Sequence, residues 1–273
     1  MLERADGVLP HGLAEAILGT AEDIAEVLRT ESDTDRVSAL PVPRSTWTVG
    51  EATAHLAQAN ALMVALAEGR EVPHGDGTPA SLAEANERAL ARFAERKPGP
   101  LAAMITERAA TFLTVVEECD PEMLLTTPLG PLSPAHLGSY LLAHMLGHGY
   151  DLAGALGRPH MLDARRVELS LPFVLRVMPR VTDPAAVAGL TARYAIRLRG
   201  GPEFGVLVAD GAVEVTEEPP ARPDCVILTE PVAFLLLALG RVDPWPTIVR
   251  GKALGWGRRP WLAPRFPRLF RAP

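Results

Sequence analysis

The chain has 273 residues, a net charge of −6, a pI near 5.7 and 48% hydrophobic residues. That apolar content excludes intrinsic disorder, the length permits two domains, and the acidic balance argues against a nucleic-acid surface. No uncharged apolar run approaches a membrane span, and the first residues carry Glu3 and Asp6 without an apolar core, so neither a membrane partner nor a signal peptide is expected. Cys119 and Cys225 form no CxxC pair. Both read as reduced and buried, which suits a cytoplasmic setting.

Residues 11–30 carry apolar side chains at helical spacing and predict a first helix. A loop with Asp33, Ser38, Pro41 and Pro43 follows. Thr48 and Glu51 then form a capping box that starts a second helix in STWTVGEATAHLAQANALMVALAEG. Ala52, His55, Ala59, Leu62, Met63 and Leu66 mark its buried face. Residues 73–79, with Gly75 and Gly77, make a loop able to cover the mouth of a site. Ser81 and Glu84 form a second capping box, opening a helix to about Arg96 that KPGP breaks. Residues 101–118 are a further helical run, ended by Asp120-Pro121.

SPAHLGSYLLAHMLGHGYDLAGALGRP, residues 133–159, reads as one long helix. Ser133 suits the N-cap, Pro134 the first helical position, and Gly157 with Pro159 the stop. Beyond it, residues 163–178 look helical with a kink at Pro172. RYAIRLR alternates as a half-buried strand does, and FGVLVADGAVEVTEE reads as a hairpin turning at Asp210-Gly211. Residues 225–229 are a short strand, 231–239 a buried helix ended by Gly240, and 248–254 a last strand. The tail from Arg258 to Arg271, with Trp256, Trp261, Phe266 and Phe270, reads as a packed C-terminal helix. The expected architecture is a four-helix bundle with an extra helix over residues 1–160, then a small α+β domain over 161–273.

The chemistry gathers on two bundle helices. His144 and His148, four residues apart, project from one face and share its apolar stripe with Leu137, Leu141 and Leu152. His55 falls on the buried face of the second helix. Three neutral imidazoles with an open fourth position are how a catalytic divalent metal is held, zinc first, nickel or iron next. The plainer reading is three core histidines satisfied by hydrogen bonds. Asp151 is placed to orient an imidazole or to join the metal ligands itself, the plainer reading being a solvated acid near the helix end. Tyr140 continues the row above His144 toward a pocket. His136 is two turns from His144, too far to ligate, and His11, His74 and His160 read as surface residues. No GxSxG elbow, phosphate-binding loop or dinucleotide fingerprint is present, and HMLGH lacks the glutamate of a zincin.

STWTVGEATAHLAQ resembles the W-T-V-x-[DE]-x-x-A-H-L signature of the DinB-like metal-binding bundle superfamily. HMLGHGYDLAGALGRP resembles the matching helix of its mycothiol-dependent maleylpyruvate isomerase branch. DCVILTEPVAFLLLALGR and IVRGKALG are more loosely similar to the sterol-carrier-protein-like domain that this branch often carries. The resemblance implies metal ligation by His55 and His148. At the position of His144 the isomerase branch commonly places glutamate, whereas thiol transferases among DinB-like proteins use three histidines.

The resemblance also implies a metal that binds and deprotonates a low-molecular-weight thiol, mycothiol, whose sulfur attacks a small electrophile. The product is an S-conjugate or, after bond rotation and loss of the thiol, an isomer. The second domain is expected to close the pocket, with Arg222, Arg241 and Arg250 as candidates for a substrate-binding arginine. Two other readings stay open. One is a non-catalytic small-molecule or lipid carrier with a structural metal, using Phe234 to Leu237. The other is a metal-dependent hydrolase.

Overall fold

The computed structural model describes residues 8–29 and 34–271. Glu3, Asp6, the Thr30 end of the predicted first helix and Asp33 of the following loop lie outside the described residues. The chain divides into two compact units, residues 1–162 and 163–273.

The first unit contains α1 (Leu13–Leu28), α2 (Thr34–Ser38), α3 (Val49–Ala67), α4 (Pro79–Arg92), α5 (Pro98–Glu117) and α6 (Pro134–Ala155). Both α1 and α3 pack against α5 and α6, which closes a ring of four helices, and α4 leans on α3. Leu13, Ile17, Ile24 and Leu28 recur on one face of α1 and are fully buried, as a bundle helix requires. In contrast, α3 packs against four other helices, α2, α4, α5 and α6, so its buried set extends to Ala54, Leu56, Ala57 and Val64. Ala59 and Leu62, expected on the buried face, are only half-buried.

Several boundaries differ from the sequence reading. The loop before α3 contains a short helix, α2, and Ser38 at its end donates to the Arg96 carbonyl at 2.8 Å. Thr78 caps α4 by accepting from the Ser81 amide, while the Ser81 hydroxyl turns back to Asp76. Helix α4 stops at Arg92. KPGP does not merely break one helix: Pro98 takes a first-turn position and opens α5 there.

Close approach of α1 to α6 depends on two glycines three turns apart. A Cβ on Gly138 would stand 3.1 Å from Leu13, and one on Gly149 would stand 2.7 Å from the Met161 sulfur and 3.1 Å from Ile24. Among the described residues no helix is long and apolar enough to cross a membrane.

The second unit contains α7 (Ala164–Val177), a 3₁₀ turn over Met178–Val181, α8 (Pro184–Val187), β1 (Ala192–Leu198), β2 (Glu203–Ala209), β3 (Ala212–Thr216), β4 (Cys225–Thr229), α9 (Pro231–Ala238), α10 (Pro244–Val249), β5 (Ala253–Trp256) and a 3₁₀ helix over Pro260–Leu269. The sheet order is β3-β2-β1-β4-β5, with β1 and β4 parallel and every other pair antiparallel. The register places Ala192, Tyr194 and Ile196 opposite Val208, Val206 and Phe204, and all six are buried. Phe234 of α9 meets Phe204 edge-on, with ring centroids 5.7 Å apart. The hairpin turns at Asp210 (φ 51°) and Gly211 (φ 75°), the paired positive φ of a type I′ turn.

Two C-terminal expectations are corrected. Residues 244–249 are helical, because Pro244 sits in the first turn and the Thr247 hydroxyl donates to the Asp243 carbonyl, so the last strand shortens to β5. The tail winds as a 3₁₀ helix, since Pro264 and Pro267 lack the N–H groups an α-helix needs. It buries Leu262, Phe266 and Leu269 and leaves Trp261 exposed.

Asp224 pins the tail to the sheet. Its buried carboxylate accepts from Arg258 at 2.5 Å and from the Arg193 amide at 3.0 Å. The Arg258 hydrogen bond, opposed by burial, holds this carboxyl below the usual carboxylate range. Because the folded-state value is depressed, the contact stabilises fully above the unfolded value of about 3.9 and is lost as pH falls through the folded one. The second unit's melting temperature is therefore expected to drop on acidification below about pH 4. Asp224→Asn should flatten that dependence in calorimetric scans across pH.

Candidate metal centre

The site is built from α3 and α6. The Thr48–Glu51 capping box fixes where α3 begins: the Glu51 amide donates to the Thr48 hydroxyl at 3.3 Å, and the Thr48 amide donates to the Glu51 carboxylate at 2.9 Å. His55 follows two turns later. Ser133 caps α6 by accepting from the His136 amide at 3.3 Å, and His144 and His148 then face α3, one turn apart.

The three imidazoles converge. One ligand nitrogen from each of His55, His144 and His148 falls within a 4.8 Å cluster. The ring centroids are 5.2 Å apart for His55 and His144, 4.9 Å for His55 and His148, and 4.6 Å for His144 and His148. The Nε2 atoms of His55 and His144 stand 3.2 Å apart. Two nitrogens bound at about 2.05 Å to one tetrahedral ion would stand about 3.3 Å apart, so this pair fits a zinc-sized cation. His55 is buried, and burial, with the neighbouring His74 charge adding to it, lowers its pKa to about 4. Its imidazole is therefore neutral near pH 7, the form a metal ligand takes.

Around this cluster stand the residues that orient it. Asp151 Oδ2 lies 3.7 Å from His148 Nδ1, both side chains largely buried, so the carboxylate faces the ring nitrogen from the side. Tyr140 meets His144 edge-on at 6.2 Å, and burial pushes its hydroxyl up to about 12, so it stays protonated. His136 is held on the Ser133 hydroxyl at the start of α6. His11 and His160 are exposed.

Two neighbours escaped the sequence reading. Trp47 lies over the cluster, its ring 4.7 Å from His55 and 6.2 Å from His148. Its place two residues before the α3 helix was a visible signal. His74, expected at the surface, is half-buried, hydrogen-bonded to Asn86 at 2.9 Å, and near enough for its charge to act on His55. The loop carrying it is seated by Gly77 (φ 85°), where a Cβ would meet the Pro128 carbonyl oxygen at 2.1 Å.

The cysteines take no part in this cluster. Burial pushes the Cys225 thiol up to about 11, and burial also raises that of half-buried Cys119. In the second unit, Arg222 is exposed on the loop before β4, Arg241 donates to the Leu239 carbonyl at 2.8 Å, and Arg250 is exposed at the end of α10.

Fold and cluster together define a class: a helical bundle with three convergent imidazoles, followed by a small α+β unit. Residues 18–153 match the mycothiol maleylpyruvate isomerase N-terminal domain, and residues 175–253 match the SCP-2 sterol transfer family. The chain belongs to the mycothiol maleylpyruvate isomerase N-terminal domain family, carrying an SCP-2 domain behind it. Among solved structures it is similar to a histidine-to-alanine mutant of the mycothiol-dependent maleylpyruvate isomerase. That match has 12% identity and a TM-score of 0.54, covering 89% of this chain and 91% of the other. A second structure of the mycothiol-dependent maleylpyruvate isomerase matches at 12% identity and a TM-score of 0.49, covering 84% and 88%. A comparison with curated proteins finds no match.

Proposed function

We propose that this protein is a metal-dependent enzyme that uses a low-molecular-weight thiol, mycothiol, to isomerise or conjugate a small electrophile. The observation that carries this reading is the convergence of His55, His144 and His148 on one point between α3 and α6. These three residues would hold the ion, zinc by the nitrogen donor set and spacing, with nickel or iron the alternatives. A divalent cation held there supplies a positive charge that lowers the pKa of a thiol or a water.

The chain's own residues do the rest. Asp151, its carboxylate 3.7 Å from His148 Nδ1, is placed to orient the His148 ring. Tyr140, protonated at neutral pH, offers a hydroxyl donor beside His144 rather than a base. The indole of Trp47 covers His55 and His148 and limits water at the imidazoles. His144 matters for reactivity. Three neutral ligands leave more positive charge at the centre than a set containing carboxylate, which favours the thiolate form of a sulfur bound nearby. The run from Phe234 to Leu236 is buried against the sheet, so core packing accounts for these side chains.

The decisive experiment is turnover of maleylpyruvate-like and other small electrophiles by the purified, zinc-loaded chain, with and without mycothiol. Turnover is expected to require the thiol. Equal rates with water alone would replace this reading with hydrolysis.

A further inference from the structure

The proposed reaction gives no task to His74, an imidazole beside the metal ligands that comes from neither of the two helices carrying them. The cluster it adjoins is open to small molecules. Along α6, His136, Tyr140, His144, His148 and Asp151 form a half-buried row at helical spacing, whereas Leu137, Leu141, Met145 and Leu152 are fully buried. On α3, Ala59 and Leu62 follow His55 on its own face and are also half-buried. The two rows meet at an opening that ends on the three imidazoles.

His74 is held at this opening by a loop whose shape is fixed on either side of it. Gly75 (φ 79°) and Gly77 (φ 85°) take backbone conformations that other residues resist, and a Cβ on Gly75 would stand 2.9 Å from the Ser81 hydroxyl oxygen. Between them, the Asp76 carboxylate accepts from the Thr78 amide at 3.0 Å, from the Thr78 hydroxyl at 2.7 Å and from the Ser81 hydroxyl. The Ser81 hydrogen bond first, then those of Thr78, hold this carboxyl down to about 2, so the turn persists wherever an imidazole titrates.

The tautomer of His74 follows from its partner. His74 Nε2 lies 2.9 Å from Asn86 Oδ1 on α4. An amide oxygen only accepts, so this contact keeps a proton on Nε2 and leaves Nδ1 as the ring's acceptor. Among the described residues no ring contact joins His74 to the three ligands, yet it is near enough for its charge to act on His55. Other charged groups around it are few. The loop adds exposed Glu71 and Asp76, α4 adds exposed Glu87 and the Glu84–Arg88 pair, and the turn at residues 127–130 adds none.

Resting on the thiol reading above, we propose that His74 is the proton-carrying residue of this site, with Asn86 as its positioning residue. The S–H bond of the thiol breaks, its proton passes to His74 Nδ1, and the electron pair stays on sulfur. In an isomerisation the proton returns to sulfur as the thiol departs. In a conjugation it passes to the enolate carbon left when sulfur adds to an α,β-unsaturated carbonyl compound. Asn86 Oδ1 holds Nε2–H throughout and so stabilises the imidazolium between these steps.

Calorimetry of mycothiol binding to the zinc-loaded full chain tests this near pH 7, in two buffers of different ionisation enthalpy that together count the protons released. The parent is expected to release fewer than about half a proton per thiol, because His74 keeps it, and His74→Gln about one. The same variant should lose at least about 100-fold in kcat with KM, zinc content and circular dichroism near parental values. Added imidazole should restore part of the turnover of His74→Ala, and Asn86→Leu should cost about tenfold in kcat. Equal proton release by parent and His74→Gln, parental kcat in that variant, or no rescue of His74→Ala would overturn the assignment while leaving the thiol reading in place. A zinc-loaded parent that binds no thiol would overturn the thiol reading itself, and this assignment with it.

Discussion

Replacing His144 with alanine is expected to strip the bundle of its metal and to abolish thiol-dependent turnover. His144 Nε2 is 3.2 Å from His55 Nε2 and its ring lies 4.6 Å from that of His148, so its removal leaves two nitrogens where three converge. Loss of a residue that only orients a ligand costs about 10- to 100-fold in metal affinity, and loss of a ligand should cost more. Metal content after dialysis against a weak chelator measures this directly. The expected values are about one equivalent of zinc for the parent and less than a tenth of that for His144→Ala. An unchanged metal content in the variant would remove His144 from the ligand set.

The companion variant, His144→Glu, separates ligation from reactivity. It should keep the metal, since a carboxylate also binds zinc, but it adds a negative charge to the donor set. The centre then favours the thiolate less, and the rise of activity with pH should move to higher pH than in the parent. A profile that did not move would mean that the charge of residue 144 does not govern the thiol.

Gly149→Leu should destabilise the first unit by overpacking the seam between α1 and α6. The Cβ alone would approach the Met161 sulfur at 2.7 Å and Ile24 at 3.1 Å, and the rest of a leucine has nowhere to go between α1 and α6. Overpacking of this kind costs about 1–3 kcal/mol, and the upper end is expected here because two helices must part. Urea unfolding measures the loss. Gly149 also follows His148 directly, so a shift of α6 against α1 should lower zinc occupancy in the protein that remains folded. A variant with parental stability would show that α1 yields without cost.

Much of this was legible from residues and spacing. The Thr48–Glu51 box placed the start of α3 and hence the phase of His55, because a cap is a local device whose donors and acceptors lie within four residues. Ser133 and Gly157 bounded α6 in the same way, and Asp210-Gly211 marked the hairpin by its need for positive φ. With those phases set, the helical repeat alone put three imidazoles on buried faces.

What the sequence could not determine depended on groups distant along the chain. The inward turn of His74 needs Asn86 on α4 and a glycine seated against the Pro128 carbonyl, contacts that no local pattern encodes. The position of Trp47 over two histidines from different helices is likewise a product of how α3 meets α6. In the tail, aromatic and cationic residues at helical intervals suggested burial. Prolines at 264 and 267 force a 3₁₀ path, and Asp224 anchors its start to the sheet through Arg258, so Phe266 is buried while Trp261 faces outward. Capping and periodicity are short-range and readable from sequence; which apolar face finds a partner is decided only by the elements that pack against it.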